Sequence, residues 1–258
     1  MSQLIFKSEY VIVSQIFKES EKHVHPMMQI FIGDENNQVM VDGETYRGKI
    51  IIINQNVDHS IQTRDRFRVF LLVKPASLLA QYIRKHYLQD HPFTYTQLNN
   101  NIRENNDLKE VKAVAINQIT FEEILVEDSP KELERKVLSI LKALGVAEKQ
   151  VSIDERVERL IQAIQERRYF NYSIKEIAQQ CHLSEGRMAH LFKEEVGVSL
   201  MSYIQLMQLE YVYKEVINGK SITEAALEAG FYSSSHFAYV CKKITGISIS
   251  KVMKIAGF

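Results

Sequence analysis

Two segments near the end of the chain repeat one pattern at a fixed spacing, and this repeat constrains the fold more than any other feature. The segments are HLSEGRMAHLFKEEVGVS and FYSSSHFAYVCKKITGIS. Ser184 and Ser233 lie 49 positions apart, and so do Gly197 and Gly246. A serine before an amphipathic stretch is typical of a helix start, and a glycine after it is typical of a helix end. The regular spacing therefore predicts a duplicated helical unit.

A shorter helical segment precedes each repeat, SIKEIAQQC before the first and SITEAALEAG before the second. A short helix, a tight turn and a capped second helix make a helix-turn-helix unit, and we predict two of them, at about 173–196 and 221–245. The second helix of such a unit suits the major groove of DNA. The stretch 199–220 predicts one long helix that holds both units on one face of the duplex.

The segments IKEIAQQCHLSEGRMAHLFKEEVGVSLMSYI and ITEAALEAGFYSSSHFAYVCKKITGIS follow the two-part signature of the AraC/XylS family of transcription regulators. The resemblance runs from Ile153 to Met253 and implies an all-α DNA-binding domain over 152–258. It weakens at the end, where Ser248-Ile249 replaces a usual Thr-Pro pair and Met253 stands where an arginine is usual. The resemblance implies that the fold is kept while contacts to phosphate differ.

The second helix of each unit has an outer face that is free for DNA if its apolar face packs inward. The lysines on this face suit phosphates, whereas His190, Tyr239 and the serines suit bases. The resemblance places DNA contacts at the same helix positions. We predict these contacts: Ser184, Glu185, Gly186, Arg187, Ala189, His190, Lys193, Ser233, Ser234, Ser235, Ala238, Tyr239, Lys242 and Lys243.

The first part of the chain reads differently. Short alternating apolar segments separated by turn formers predict an antiparallel β-barrel over about 1–75. From about 76 to 146 the apolar residues recur at three- and four-residue intervals, which predicts helices, including one over Leu108–Leu125 and one from Ser129 to Gly145. The fold class is thus α+β, with a first domain at 1–147. The polar run Gln97–Asp107 predicts a loop.

The segment HVHPMMQIFIG and the later histidine of VDHSI resemble the cupin-type barrel that often precedes this DNA-binding domain as a sensor. His23, His25 and His59 resemble the histidines of metal-binding cupin motifs, and Gln29 stands where those enzymes place a glutamate. Two interpretations follow, a divalent metal site or a small-molecule pocket that also includes Tyr46. Because the carboxylate is missing, we assign these five residues to ligand binding and expect neither metal nor cofactor.

Charge and hydropathy restrict the function only loosely. The 32 basic and 32 acidic residues cancel, so net charge neither suggests nor excludes nucleic acid. No apolar run approaches the roughly 20 residues of a membrane span, and we expect a cytoplasmic protein. The sequence bears no mark of a catalytic nucleophile, of a glycine-rich phosphate loop or of paired catalytic carboxylates.

Together these features predict a sequence-specific, ligand-responsive transcription regulator, an activator and not an enzyme. Its expected partners are double-stranded DNA, a small-molecule effector and a second copy of the chain, with RNA polymerase as a further candidate. Two alternatives stay open, a cupin-type metal-dependent enzyme and a regulator that responds to a protein partner.

Overall fold

The computed structural model describes residues 3–14, 22–34, 37–41, 43–60, 69–88, 113–120, 122, 124, 128–146, 153–245 and 248–250. The chain forms two compact units, Met1–Val151 and Ser152–Ala256. The first combines strands and helices and the second is helical, which confirms the predicted α+β class. None of the described helices is long and apolar enough to cross a membrane. The predicted loop at Gln97–Asp107 lies outside the described residues.

The described strands of the first unit form two antiparallel sheets. The larger sheet has the strand order β1-β2-β8-β3-β6-β9, and the smaller has the order β5-β4-β7. Their bounds are β1 Gln3–Phe6, β2 Tyr10–Ser14, β3 Met28–Ile32, β4 Gln38–Val41, β5 Glu44–Arg47, β6 Ile50–Ile53, β7 His59–Ser60, β8 Val69–Val73 and β9 Ala113–Ile116.

The six-stranded sheet is buried on both faces, which explains its continuous apolar strands. All four isoleucine side chains of Ile50–Ile53 are fully buried. Because side chains alternate between the faces of a strand, Ile50 and Ile52 join a core beneath the helices, whereas Ile51 and Ile53 join a second core. This second core also contains Val39 and Val41 of the smaller sheet. We call the layer between the two sheets the barrel interior.

Two helices, α1 (Leu78–Ile83) and α2 (Pro130–Ala143), cover the other face of the larger sheet, and a π-helical turn at Arg84–Leu88 extends α1. Helix α2 begins as predicted, because Ser129 and Glu132 form a reciprocal capping box and proline occupies the first turn. Gly145 follows the helix with a φ of 77°.

One predicted helix is wrong over part of its length. Instead of continuing a helix over Leu108–Leu125, residues Ala113–Ile116 form β9, which pairs antiparallel with β6. The alternation in this stretch fits a strand as well as a helix, and the open edge of β6 supplies hydrogen-bond partners that local sequence does not reveal. The described residues between Ile116 and Ser129 are not helical.

The second unit contains two helix-turn-helix units joined by a long helix, as predicted. The linking helix α6 contributes ten buried side chains and begins at the capping serine Ser199. The helices of the second unit are α3 Glu155–Gln165, α4 Ile174–Gln180, α5 Glu185–Val196, α6 Leu200–Ile217, α7 Ile222–Glu228 and α8 Ser234–Thr245.

Candidate nucleic-acid interface and histidine cluster

Each helix-turn-helix unit consists of a seven-residue helix, a tight turn and a twelve-residue helix. The longer helices are α5, here called the first reader, and α8, the second reader. The serines that begin the short helices, Ser173 and Ser221, lie 48 positions apart. The serines that begin the readers, Ser184 and Ser233, lie 49 positions apart. The second turn is therefore one residue longer than the first.

Both short helices end in a left-handed residue that reverses the chain toward the reader. After α4 this residue is His182, at a φ of 53°, and the N–H of Leu183 donates to the carbonyl oxygen of Ala178 over 3.0 Å. After α7 the same role falls to Gly230, at a φ of 89°. This Schellman-type end satisfies carbonyl groups that the short helix would leave unpaired, so the turn is well defined.

The two readers dock on the same helix, α6. Phe192 of the first reader packs on Tyr203, with the ring centroids 5.6 Å apart. Cys241 of the second reader forms a hydrogen bond over 3.0 Å with the hydroxyl of Tyr213. At a rise of about 1.5 Å per residue, the 18 residues of α6 extend roughly 27 Å. One helix therefore sets the separation of both readers.

The first reader buries Met188, Leu191 and Phe192, the face that its periodicity predicts to be inward. Its candidate contacts are all exposed, namely Ser184, Glu185, Gly186, Arg187, Ala189, His190 and Lys193. Nδ1 of His190 lies 3.4 Å from a carboxylate oxygen of Glu194, one turn further along.

The second reader buries Phe237, Val240 and Cys241. Its candidate contacts Ser233, Ser235, Tyr239, Lys242 and Lys243 are exposed, whereas Ser234 and Ala238 are half-buried. Tyr239 keeps 67% of its surface accessible. Its ring is therefore available for a contact outside the chain.

The two readers differ in charge. The first, EGRMAHLFKEEV, carries three glutamates against one arginine and one lysine. The second, SSHFAYVCKKIT, carries two lysines and no acidic residue. Positive charge is therefore concentrated on the second reader.

Sequence reasoning missed an exposed aromatic pair at the start of the second reader. Tyr232 is 90% exposed, and its ring lies 5.4 Å from that of His236 at an angle of 32°. The signal in the sequence was a tyrosine directly before the capping serine Ser233. This pair extends the candidate surface beyond the helix itself.

In the first unit the structure brings the three predicted histidines together. The ring centroids of His23 and His59 are 4.5 Å apart, those of His25 and His59 5.1 Å, and those of His23 and His25 5.4 Å. His25 and His59 are buried, whereas His23 is half-buried. Burial, with the neighbouring His59 and His23, holds the pKa of His25 well below its usual range, and burial lowers the pKa of His59 to about 4. Both rings are therefore neutral at neutral pH.

The other two candidate ligand residues also face the barrel interior. Gln29 lies opposite Ile53 on the neighbouring strand, and its Oε1 atom is buried without a hydrogen-bond partner among the described residues. Tyr46 lies opposite Val39, packs its ring on the interior core and donates its hydroxyl to the exposed Glu44 over 3.3 Å. Sequence reasoning missed Gln55, a second buried amide in this unit whose side-chain atoms lack a partner among the described residues.

The second unit is similar in sequence to a known family of protein domains. Residues 177–255 match a family model described as a helix-turn-helix domain. A segment of the chain is 31% identical over 85 residues to the XylDLEGF operon transcriptional activator 1 of Pseudomonas putida, covering 31% of this chain and 26% of that protein. The C-terminal unit is an AraC/XylS-type helix-turn-helix domain. The chain thus spans about a quarter of the length of this curated relative.

Solved structures of ToxT from Vibrio cholerae strain SCE256 share the fold. An apo form has a TM-score of 0.55 at 15% identity and covers 98% of this chain and 99% of its own. A form bound to an unsaturated fatty acid has a TM-score of 0.52 at 16% identity and covers 96% of both chains. The similarity therefore includes the two-sheet first unit as well as the AraC/XylS-type domain.

Proposed function

We propose that this chain is a sequence-specific transcription regulator that reads DNA with α5 and α8 and responds to a ligand in its first unit. The observation that supports this most directly is the pair of readers mounted on α6, each with an apolar face inward and a polar face exposed. A duplicated surface of this kind matches two successive major-groove segments better than it matches any catalytic site.

In this proposal the two readers make different kinds of contact with DNA. The second reader supplies phosphate attraction through Lys242 and Lys243 and base contacts through Ser235 and Tyr239. The first reader, with few long polar side chains, contributes His190 and methyl contacts through Ala189, together with sensitivity to DNA shape.

Ligand response is supported by the polar groups of the barrel interior, since buried side chains that lack partners among the described residues are typical of a binding pocket. The fatty acid bound to the structurally similar ToxT makes a small organic ligand a reasonable first class to test. Ligand binding in the first unit would act on DNA affinity or on self-association, and the regulator would then activate transcription as a homodimer with RNA polymerase as its partner.

The test is selection of bound fragments from random and genomic DNA by the full chain, with and without a small-molecule extract of cells. We expect a recurrent site with two half-elements. A paired variant, His190→Ala with Tyr239→Ala, should lose that preference while keeping its helical content. Selection of no common sequence by the unaltered chain in either condition would overturn the proposal.

Activation is tested separately by transcription from a promoter that carries the selected site. A rise in transcript that depends on the readers supports an activator, whereas a fall identifies a repressor. Elution of the bound extract would then identify the ligand, and an effect carried by protein fractions instead would favour a regulator that senses a protein partner.

A further inference from the structure

We infer that His23, His25 and His59 together bind one divalent transition-metal ion of the Zn²⁺ class. This site lies in the first unit and does not depend on whether the readers bind DNA. The sequence alone favours a pocket without metal, and the arrangement of the three rings changes that expectation.

The backbone holds the three histidines on one face. His23 and His59 face each other across an antiparallel bridge and exchange two backbone hydrogen bonds, of 3.0 and 3.1 Å. Residues paired in this way project their side chains to the same side, and His25, two residues further on, shares that side. Since His59 also lies opposite the interior residue Val41, all three rings face the barrel interior.

The nitrogen atoms lie almost at binding distance. One ring nitrogen from each histidine can be chosen so that all three lie within 4.8 Å of one another. A tetrahedral ion with metal–nitrogen bonds of about 2.0 to 2.1 Å needs its ligand nitrogens roughly 3.3 Å apart. Small rotations of the three side chains would shorten these nitrogen–nitrogen distances to the required value, because the bridge already fixes the backbone positions of His23 and His59.

One of the rings is oriented by a second contact of the kind that metal-binding histidines make. Nδ1 of His59 lies 2.9 Å from the carbonyl oxygen of Val57. A carbonyl oxygen can only accept, so Nδ1 carries the proton and Nε2 keeps its lone pair. Nε2 is buried and has no hydrogen-bond partner among the described residues.

His25 adds a stronger anomaly. Both of its ring nitrogens are buried, and neither makes a hydrogen bond of ordinary length and angle in the described part of the chain. Buried polar groups are almost always paired in native proteins, and a histidine that serves packing alone would be replaced by an apolar residue at no loss. A bound ion would satisfy one ring nitrogen of His25 and Nε2 of His59.

The donor set selects the class of ion. The cluster consists of three imidazoles, and neutral imidazole favours Zn²⁺, Co²⁺, Ni²⁺ and Cu²⁺ over Mg²⁺ and Ca²⁺, which prefer oxygen. Three protein ligands leave one coordination position for water or a small ligand.

The test uses the full chain, stripped with a chelator, freed of the chelator and titrated with Zn²⁺ against a chromophoric competitor. We expect saturable binding of one equivalent per chain. Titration with Co²⁺ should give the visible absorption bands of a tetrahedral nitrogen-rich site, and an excess of Mg²⁺ should not displace them. Absence of saturable Zn²⁺ binding by the unaltered chain, or binding that Mg²⁺ displaces, would overturn the inference.

Variants locate the site. His23→Gln and His25→Gln should each weaken Zn²⁺ binding by at least about 100-fold. Loss of a residue that only supports a metal ligand lowers metal affinity by about 10- to 100-fold, and loss of the ligand itself should lower it at least as much. His182→Asn is the matched control, because it removes an exposed histidine at a left-handed position that asparagine tolerates. Equal affinity in all three variants would refute the site. If His25→Gln fails to fold, the half-buried His23→Gln still decides, because its ring contributes less to the core.

Discussion

Gln208 donates a hydrogen bond from Nε2 to the backbone carbonyl oxygen of Phe170 over 2.8 Å, and the glutamine is buried in the middle of α6. Phe170 lies between α3 and α4, just before the first helix-turn-helix unit. This single bond therefore links the helix that carries both readers to the segment that leads into the first one. It also explains a polar side chain at a buried position of an otherwise apolar face.

Replacing Gln208 by leucine should destabilise the second unit by about 1 to 3 kcal/mol, because the carbonyl of Phe170 would stay buried without this donor. Denaturant unfolding followed by circular dichroism measures the change. The control is Gln205→Leu, a half-buried glutamine on the same helix, which should change stability far less. Equal effects of the two variants would show that the hydrogen bond is not what matters at position 208.

Gly230 lies against the same hydrogen bond. A Cβ atom added there would collide with the side chain of Asn171 and come within 3.2 Å of both Nε2 of Gln208 and the carbonyl oxygen of Phe170. The Asn171 side chain can rotate away, but the hydrogen-bonded pair cannot move without losing its contact. Gly230→Ala should therefore cost more than the roughly 1 to 2 kcal/mol of placing alanine in a left-handed conformation.

Gly219→Ala isolates the two contributions. Gly219 has a similar φ of 99°, and no atom of the described residues lies within 4 Å of its added Cβ. Gly219→Ala should therefore lose only the stability that a left-handed backbone conformation costs an alanine. Thermal unfolding of both variants would settle the matter, and a Gly230→Ala protein no less stable than Gly219→Ala would disprove the crowding.

The buried ion pair of the first unit gives a third prediction. Nζ of Lys136 lies 2.8 and 2.9 Å from the two carboxylate oxygens of Asp128, and both side chains are less than a tenth exposed. Lys136→Met should destabilise the unit by about 3 kcal/mol, because it removes the cation from a buried carboxylate.

The neighbouring Arg135 provides the control. Its ion pair with Glu122, at 2.8 Å, is more than half exposed on both sides. Arg135→Met should cost less than about 1 kcal/mol. Unfolding in urea compares the two, and similar losses would mean that burial does not govern the strength of these pairs.

Acid should loosen the junction between α6 and α7. Hydrogen bonds from Lys220 and Tyr211 lower the pKa of Glu228 below its ordinary value of 4.5. A carboxyl with a lowered pKa in the folded state stabilises the fold at neutral pH, and this contribution is lost as pH falls through the folded pKa. Glu215 also binds Lys220, at 2.7 Å, so the lysine keeps one partner after Glu228 is protonated.

The unaltered chain should therefore lose more stability than Glu228→Gln between about pH 5 and pH 3. Tyr211→Phe removes one of the two donors and should show an intermediate slope. Thermal midpoints measured across this range give the comparison. Parallel pH profiles for all three proteins would contradict the assignment.

The features that sequence predicted well are those encoded locally. Ser129, Ser184 and Ser233 begin helices because each hydroxyl accepts from a backbone N–H three residues ahead, a contact that depends on nothing distant. Gly197 ends the first reader at a φ of 82°, a left-handed conformation that glycine adopts because it has no Cβ, and this too is a local property. The repeat, the capped helices and the inward faces of both readers follow from such short-range rules.

The features that sequence could not give depend on distant partners. The strand Ala113–Ile116 exists because β6 has an open edge, and this edge is set some sixty residues earlier in the chain. The contact of His59 with His23 and His25 arises from an antiparallel bridge that spans the whole β3–β6 region. Spacing in the sequence suggested that the three histidines could meet, but only the strand register brings their nitrogens within reach.

The charge difference between the readers leads to the last prediction. Lys242 is exposed on a reader without acidic residues, so it should act as a phosphate anchor. Lys242→Ala should weaken binding to all DNA sequences alike and reduce the slope of log affinity against log salt by about 1. Tyr239→Ala should instead change which bases are preferred and leave the salt slope nearly intact.

Competition binding at several salt concentrations, with the selected site and with unrelated DNA, separates the two effects. Lys142→Ala, an exposed lysine of α2 in the first unit, controls for loss of one positive charge from the chain. If Lys142→Ala lowers the slope as much as Lys242→Ala, the attraction is a property of the whole chain's charge. Since that net charge is zero, we expect the slope to respond only to the lysine on the reader.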